Sequence, residues 1–343
     1  LKILFLKEST FMHKPTRYHP ENPRRAVEAR SALISEGIPI VDISVQGVDI
    51  LEARRLARRV HSVDYVELLE KLSRRAPVDI DEDTYMSRDT LELALAYFYE
   101  AYRSAAESRR VFILGRPPGH HVGYNGATPG VLTQGFCVLN NAAAAIYGFM
   151  DAGYRRLLTI DFDAHHGNGT MEIFYRQRVL QVDFHQDPAT LYPHTGYPDE
   201  LGEGDGYGYK VNVVLPRYSG DDLFLELLEM IKQVISRYNP EAVVVSAGFD
   251  AFENDGLSDL ALTEISYYHV GRFTAELDVP TVAVLEGGYG IGLRRGLPAF
   301  VKGLRSEAVE YPLLTTTPTS ARRTSLESAK RVIEKVVGRI HGA

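Results

Sequence analysis

Eight short runs of β-branched and apolar residues, separated by stretches of helical periodicity, restrict this sequence to a small set of folds. The runs are 2–6 (KILFL), 38–43 (IPIVDI), 111–114 (VFIL), 157–162 (LLTIDF), 179–184 (VLQVDF), 211–215 (VNVVL), 242–247 (AVVVSA) and 281–285 (TVAVL). Their near-continuous apolar character is that of strands covered on both faces. Helical spacing occupies 24–36, 50–74, 88–109, 139–152, 221–238, 263–276 and 292–305. Strands alternating with crossover helices predict an α/β fold, a three-layer open sheet of about eight mostly parallel strands with helices on both faces.

No repeat or linker interrupts residues 1–312, which read as a single domain, and 45 % hydrophobic content over 343 residues suffices for a large core. Residues 313–323 (LLTTTPTSARR) read as a Thr/Pro/Ser-rich tether. Beyond it, Leu326, Ile333, Val336, Val337 and Ile340 recur at helical spacing, so 313–343 is expected to end in a helix docked on the same domain. The opening run LKILFL is too short for a signal h-region or a membrane span, and the lone Cys137 agrees with a reducing compartment; a cytoplasmic protein with no membrane partner is expected. One cysteine also excludes an internal disulfide and a thiolate metal cluster. With 38 basic against 45 acidic residues, the net charge of -7 disfavours direct nucleic-acid binding and suits a cationic substrate.

The polar clusters follow the apolar runs. His120 and His121 come after the third, Asp161 to His166 after the fourth, His185 after the fifth, Asp250 after the seventh and Tyr289 after the eighth. Open α/β sheets bind ligands beyond the carboxyl ends of their strands, so these residues are expected to meet in one crevice. In TIDFDAHHGNG (159–169), continued extension would put Asp161, Asp163 and His165 on one side. Buried charges need a counter-charge, and carboxylates beside imidazole form a metal-ligand arrangement; a capped strand end is the structural alternative. Asp250, three residues past AVVVSA, is placed to add a third ligand or to serve a turn. A three-ligand Asp/His/Asp set leaves a coordination position for water, as catalysis requires. In RPPGHHVGYN (116–125) an irregular loop could aim both histidines at one spot, one as base and one as electrostatic support. Tyr289 in LEGGYG (285–290) could donate to a developing oxyanion.

Taken together, RYHPENPRR (17–25), RPPGHH, GFCVLNNAA (135–143), DFDAHHGNGT, HQDPATLYPHTG (185–196), AGFDAFENDGLSDLALT and LEGGYG resemble the histone deacetylase family, which includes the acetylpolyamine amidohydrolases and has the arginase-like fold. The resemblance covers nearly the whole chain. It implies a Zn²⁺ amidohydrolase acting on acetyl-lysine in protein or on an acetylpolyamine, with Asp163, His165 and Asp250 as metal ligands. Fe²⁺ and Co²⁺ also suit such a donor set. By the same resemblance, His120 is oriented by Asp161, His121 is the general base and then acid, and Tyr289 stabilises the oxyanion. Gly135, Phe136 and Tyr192 would wall the substrate tunnel, and Leu257 would stand at its rim. A structural K⁺ would involve Asp161, Asp163, the His165 backbone and Asp183. The family includes oligomers, so a homo-oligomeric partner is compatible with the resemblance.

Three departures concern substrate preference more than chemistry. Asn168 stands where some members have aspartate behind the second histidine, His194 where glycine is usual, and Tyr192 where phenylalanine is commoner. The acidic stretch DIDEDTY (79–85) is either a rim for a substrate amide or ammonium group or merely a solvated loop. Two other functions share these residues. A di-manganese ureohydrolase would want a further carboxylate where Gly167 stands. A non-catalytic acyl-lysine binding module would have no use for a complete set of ligands, histidines and tyrosine.

Overall fold

The computed structural model describes residues 1–107 and 109–340. Its strands are β1 (Lys2–Leu6), β2 (Val41–Ile43), β3 (Val78–Asp79), β4 (Tyr85–Met86), β5 (Arg110–Leu114), β6 (Leu157–Asp161), β7 (Val179–Gln186), β8 (Lys210–Leu215), β9 (Ala242–Ala247) and β10 (Thr281–Leu285). The helices are α1 (Arg24–Ser35), α2 (Ile50–Val60), α3 (Val63–Ser73), α4 (Thr90–Glu107), α5 (Asn141–Asp151), α6 (Asn168–Ile173), α7 (Asp221–Tyr238), α8 (Glu264–Glu276), α9 (Leu297–Leu304) and α10 (Thr319–Ile340).

The eight expected strands form one sheet in the order β2-β1-β5-β10-β9-β6-β7-β8, and every pairing in it is parallel. The small β3–β4 hairpin is antiparallel and separate. Alternate residues of each strand serve opposite layers, as the two-residue period requires. Ile3, Phe5, Phe112, Leu114, Val243 and Val245 face one core with α1, α7, α8, α9 and α10. Leu4, Leu6, Val111, Ile113, Val244 and Val282 face the other, covered by α2, α3, α4 and α5. The fold is therefore a three-layer α/β sandwich.

Several elements depart from their expected bounds. The stretch 50–74 is two helices, because Ser62 accepts a hydrogen bond from Tyr65 N–H and caps a new start. His61, at the break, is tied to the loop after the histidine pair, with Nδ1 2.8 Å from Gly123 O and Nε2 accepting from Asn140 N–H. The stretch 292–305 opens with a π-helical turn before α9. α10 begins at Thr319, ahead of the expected start at 324. The segment before it is hooked onto α7: Thr315 and Thr317 hydroxyls donate to Asp221 and Asp222 at 2.9 and 2.8 Å. In α10, Ala329, Val332 and Val336 are buried, and Leu326, Ile333 and Val337 are partly so. The Ile340 side chain and residues 341–343 lie outside the described residues. Among the described residues, no helix is long and apolar enough to cross a membrane.

Candidate active site

The four central strands β5, β10, β9 and β6 are neighbours, and the loops at their carboxyl ends carry the expected residues. His120 and His121 follow β5; Asp161 ends β6, and Asp163 and His165 lie in the turn between β6 and α6; Asp250 follows β9 and Tyr289 follows β10. His185 is different. It lies within β7, where its Nδ1 is 2.9 Å from Gln186 O and its ring packs on His166.

β6 stops at Asp161, so local hydrogen bonding rather than continued extension brings the acidic residues together. Asp161 Oδ1 accepts from Asp163 N–H at 3.1 Å, and Asp163 Oδ1 accepts from His165 N–H at 2.9 Å. Asp163 Oδ2 is taken by Gly287 N–H and Asp250 Oδ1 by Ala164 N–H. Each carboxylate thereby turns one oxygen toward His165 Nδ1, at 3.1 Å from Asp163 and 3.0 Å from Asp250. The two carboxylates draw positive charge. Against the burial that opposes it, Asp250 and Asp163 push the His165 pKa up to about 10. Two oxygens and one nitrogen converging under a net negative charge fit a divalent cation.

The adjacent histidines meet as the irregular loop allows, with ring centroids 4.0 Å apart. His120 Nδ1 lies 2.9 Å from Asp161 Oδ2. Burial disfavours charge on this ring, but Asp161 and Asp163 outweigh burial and hold its pKa well above the usual value. His121 has the opposite environment. Burial, reinforced by His120 and His165, holds its pKa well below the usual value. Its Nδ1 is 2.7 Å from Asn168 Oδ1, and Asn168 Nδ2 donates to Thr128 Oγ1 at 2.7 Å. With Nδ1–H donated to that oxygen, Nε2 keeps its lone pair and can accept a proton.

Gly135 leaves room beside His121: at φ +52°, an added Cβ would lie 2.4 Å from His121 Cδ2. Tyr192 packs edge-on to His121 at 5.0 Å, its hydroxyl donating to Thr133 O. Phe136 contacts His19 and the Tyr289 ring edge-on. Leu257 shares a cleft of about 290 Å³ with Tyr18, Arg25, Asp255 and Tyr289. His194 turns away, its Nδ1 on Pro188 O. In the 79–85 stretch, Asp81 accepts from Gln134 N–H and so anchors the loop before Gly135.

Asp161, Asp183 and Ser246 form a row across β6, β7 and β9. Asp183 Oδ1 and Ser246 Oγ are buried without hydrogen-bond partners. Burial and the nearby Asp161 raise the Asp183 pKa well above the carboxylate range.

Several supporting residues are not identified by sequence reasoning. Arg116 is fully buried, pairs with Glu21 and donates to Ser9 and His13 carbonyls, fixing the approach to the histidine loop. Glu286 Oε2 accepts Gly119 and His120 N–H. Arg25 and Asp255 hold the Tyr289 turn. A charge beside an apolar or glycine-rich run, as in LEGG and RPPG, is the signal that could have raised Glu286 and Arg116.

Residues 19–304 match the family model described as the histone deacetylase domain. A probable deacetylase of Methanothermobacter thermautotrophicus is 38 % identical, covering 88 % of this chain and 89 % of its own. Acetylpolyamine amidohydrolase 1 of Pseudomonas aeruginosa is 38 % identical over 67 % of this chain and 71 % of its own. The crystal structure of the HDA15 HD domain superposes with a TM-score of 0.85 at 27 % identity, covering 99 % of this chain and 96 % of that one. Sequence and fold thus agree that the chain belongs to the histone deacetylase family, as a deacetylase that hydrolyses amide bonds.

Proposed function

We propose that the chain removes the acetyl group from an N-acetylated amine with Zn²⁺ held by Asp163, His165 and Asp250. The observation that carries this reading is the convergence of those three donors beside His121, whose ring lies 6.0 Å from that of His165 and whose pKa is held well below the usual value by burial. When bound, the ion supplies Lewis-acid chemistry, acidifying water and polarising the amide carbonyl. The same donors also suit Fe²⁺ or Co²⁺.

The chain's own residues then divide the work. His121 takes a proton at Nε2 from the attacking water while its Nδ1–H stays on Asn168. The new C–O bond leaves an oxyanion, to which the Tyr289 hydroxyl donates. As the C–N bond breaks, His121 passes its proton from Nε2 to the leaving nitrogen, giving acetate and a free amine. His120, oriented by Asp161, adds electrostatic support. Gly135, Phe136 and Tyr192 enclose the acyl chain, with Leu257 at the rim. Asp161, Asp163, the His165 backbone and Asp183 suit a structural K⁺, an assignment supported by the partnerless Asp183 Oδ1.

Residues 1–312 form the catalytic domain in this reading, with 313–343 docked on it. Acetyl-lysine peptides and acetylpolyamines are the candidate substrates, consistent with a net charge of -7 that also disfavours direct nucleic-acid binding. A cytoplasmic location completes the proposal. The two-manganese alternative loses support at Gly167, where a Cβ would lie 2.5 Å from Asp161 Oδ2. A carboxylate side chain there would have to displace Asp161.

The test measures acetate released by Zn²⁺-loaded protein from an acetyl-lysine coumarin peptide, N-acetylputrescine and N-acetylspermidine. Turnover is expected on at least one of them, with His121→Ala lowering it by about 10²- to 10⁴-fold. No acetate from any of the three, or an unimpaired variant, would overturn the proposal.

A further inference from the structure

The turn that carries Tyr289 is poor at holding itself still. Gly287, Gly288 and Gly290 surround the tyrosine, and glycine leaves the backbone its widest choice of conformations. An oxyanion donor must nevertheless be placed to a fraction of an ångström. Asp163 takes Gly287 N–H at the start of the turn, and two further charged side chains, from different elements, grip the backbone around Tyr289 itself. From α1, Arg25 Nε donates to Gly288 O at 2.6 Å, and its guanidinium lies 4.6 Å from the Tyr289 ring centroid. From the loop after β9, Asp255 Oδ2 accepts Tyr289 N–H at 2.6 Å and Oδ1 accepts Gly292 N–H at 2.8 Å.

We infer that Asp255 is a positioning residue for the reaction, setting the reach of the Tyr289 hydroxyl by binding the N–H groups of Tyr289 and Gly292 with its two oxygens. The inference rests on the hydrolytic role given to Tyr289 above. Asp255 also joins that turn to the loop bearing Asp250, because its own N–H donates to Phe252 O at 3.0 Å. A distortion at this carboxylate is therefore felt by the phenol, whereas His120 and His121 are held by other partners.

The arrangement carries a pH dependence. Asp255 faces Asp250 on its own loop and Arg25 on α1, and it shares the cleft with Arg24 and Glu28 of α1. Burial pushes its pKa up to about 6. Ionised, it accepts both N–H groups; protonated, it carries O–H on one oxygen and holds only one of them well. The grip on Tyr289 is thus complete above about pH 6 and loosens below it.

Kinetics of the Zn²⁺-loaded protein on an acetyl-lysine coumarin peptide test this with Asp255→Asn, Tyr289→Phe and the double variant. Asp255→Asn is expected to lower kcat by about 10- to 100-fold with little change in KM. In the Tyr289→Phe background it should lower kcat by less than about twofold, because no hydroxyl is left to place. An equal loss in both backgrounds would mean a general structural role and would overturn the inference. Unsubstituted protein gives a second reading that needs no Asp255 variant to fold. The ratio of its kcat to that of Tyr289→Phe should fall below about pH 6, and a ratio flat across that value overturns the idea. The hydrogen-exchange protection of the Tyr289 and Gly292 amides, corrected for the slower intrinsic exchange in acid, should also fall on going below that pH. This last reading is independent of turnover: absent hydrolysis with lowered protection would sink the functional proposal while keeping the Asp255 clamp, and unchanged protection would sink the clamp.

Discussion

An amide at residue 168 sets the character of His121, the base proposed above. Asn168 Oδ1 lies 2.7 Å from His121 Nδ1 without bringing a negative charge, so burial and the cationic neighbours keep the ring neutral. Asn168→Asp would place a carboxylate there and favour the imidazolium. The His121 pKa then rises from its depressed value, and the acid limb of kcat/KM moves to higher pH by about one to two units. A pH-rate profile checks this, and an unmoved limb would count against His121 as the base. Tyr289→Phe removes one oxyanion donor and should cost about 100-fold in kcat with KM little changed. Steady-state kinetics decide it. Residues proposed to act by their own chemistry, such as Asp163, His165, Asp250 and the histidine pair, could be singled out because few other reasons place such groups together. Glu286, Asp255 and Arg116 were not, because each works by binding backbone groups that only the folded chain brings within reach.

Elements were legible in proportion to their length and apolar content. All eight main-sheet strands coincide with apolar runs; seven are almost wholly buried and cannot conceal their composition, whereas the edge strand β2 is largely exposed and shows only three residues of its run. The two-residue strands β3 and β4 are too short to show a period, and the six-residue α6 begins inside Gly167–Asn168–Gly169, where intrinsic helix preference is low. Helix α10 shows what periodicity can and cannot say. Its apolar spacing was readable, but the hook at Thr315 and Thr317 that sets its start depends on Asp221 and Asp222, about a hundred residues away. Docking also uses Ser325 Oγ, which donates to Val214 O at 2.7 Å on β8. Val336 is fully buried there. Val336→Ala should therefore cost about 2 kcal/mol of stability through lost burial and a residual cavity, leaving kcat unchanged because α10 is remote from the site. Denaturant midpoints and kinetics on one preparation test both halves, and a loss of kcat with no loss of stability would contradict this account.

At the scale of the whole molecule, strand order was the part sequence could not supply. β10, the last strand, inserts between β5 and β9, and β1 lies between β2 and β5. These pairings join residues far apart in the chain, and local pattern carries no information about them. Their consequence is that loops after four strands, spread from His120 to Tyr289, meet above the centre of one sheet. The site thus depends on the complete fold, and by linkage a ligand of the site stabilises that fold. Metal binding must also displace the proton that Asp250 and Asp163 favour on His165, so affinity should rise with pH. Chelated protein is expected to lose turnover and to regain it with Zn²⁺. Its melting temperature should rise on adding Zn²⁺, by the equivalent of about 2.7 kcal/mol at one hundred times Kd. The rise should be smaller at pH 6 than at pH 8 and absent in Asp163→Ala/Asp250→Ala. Calorimetry of both proteins, with and without Zn²⁺, distinguishes the outcomes: equal stabilisation of the double variant would place the ion somewhere other than these three side chains.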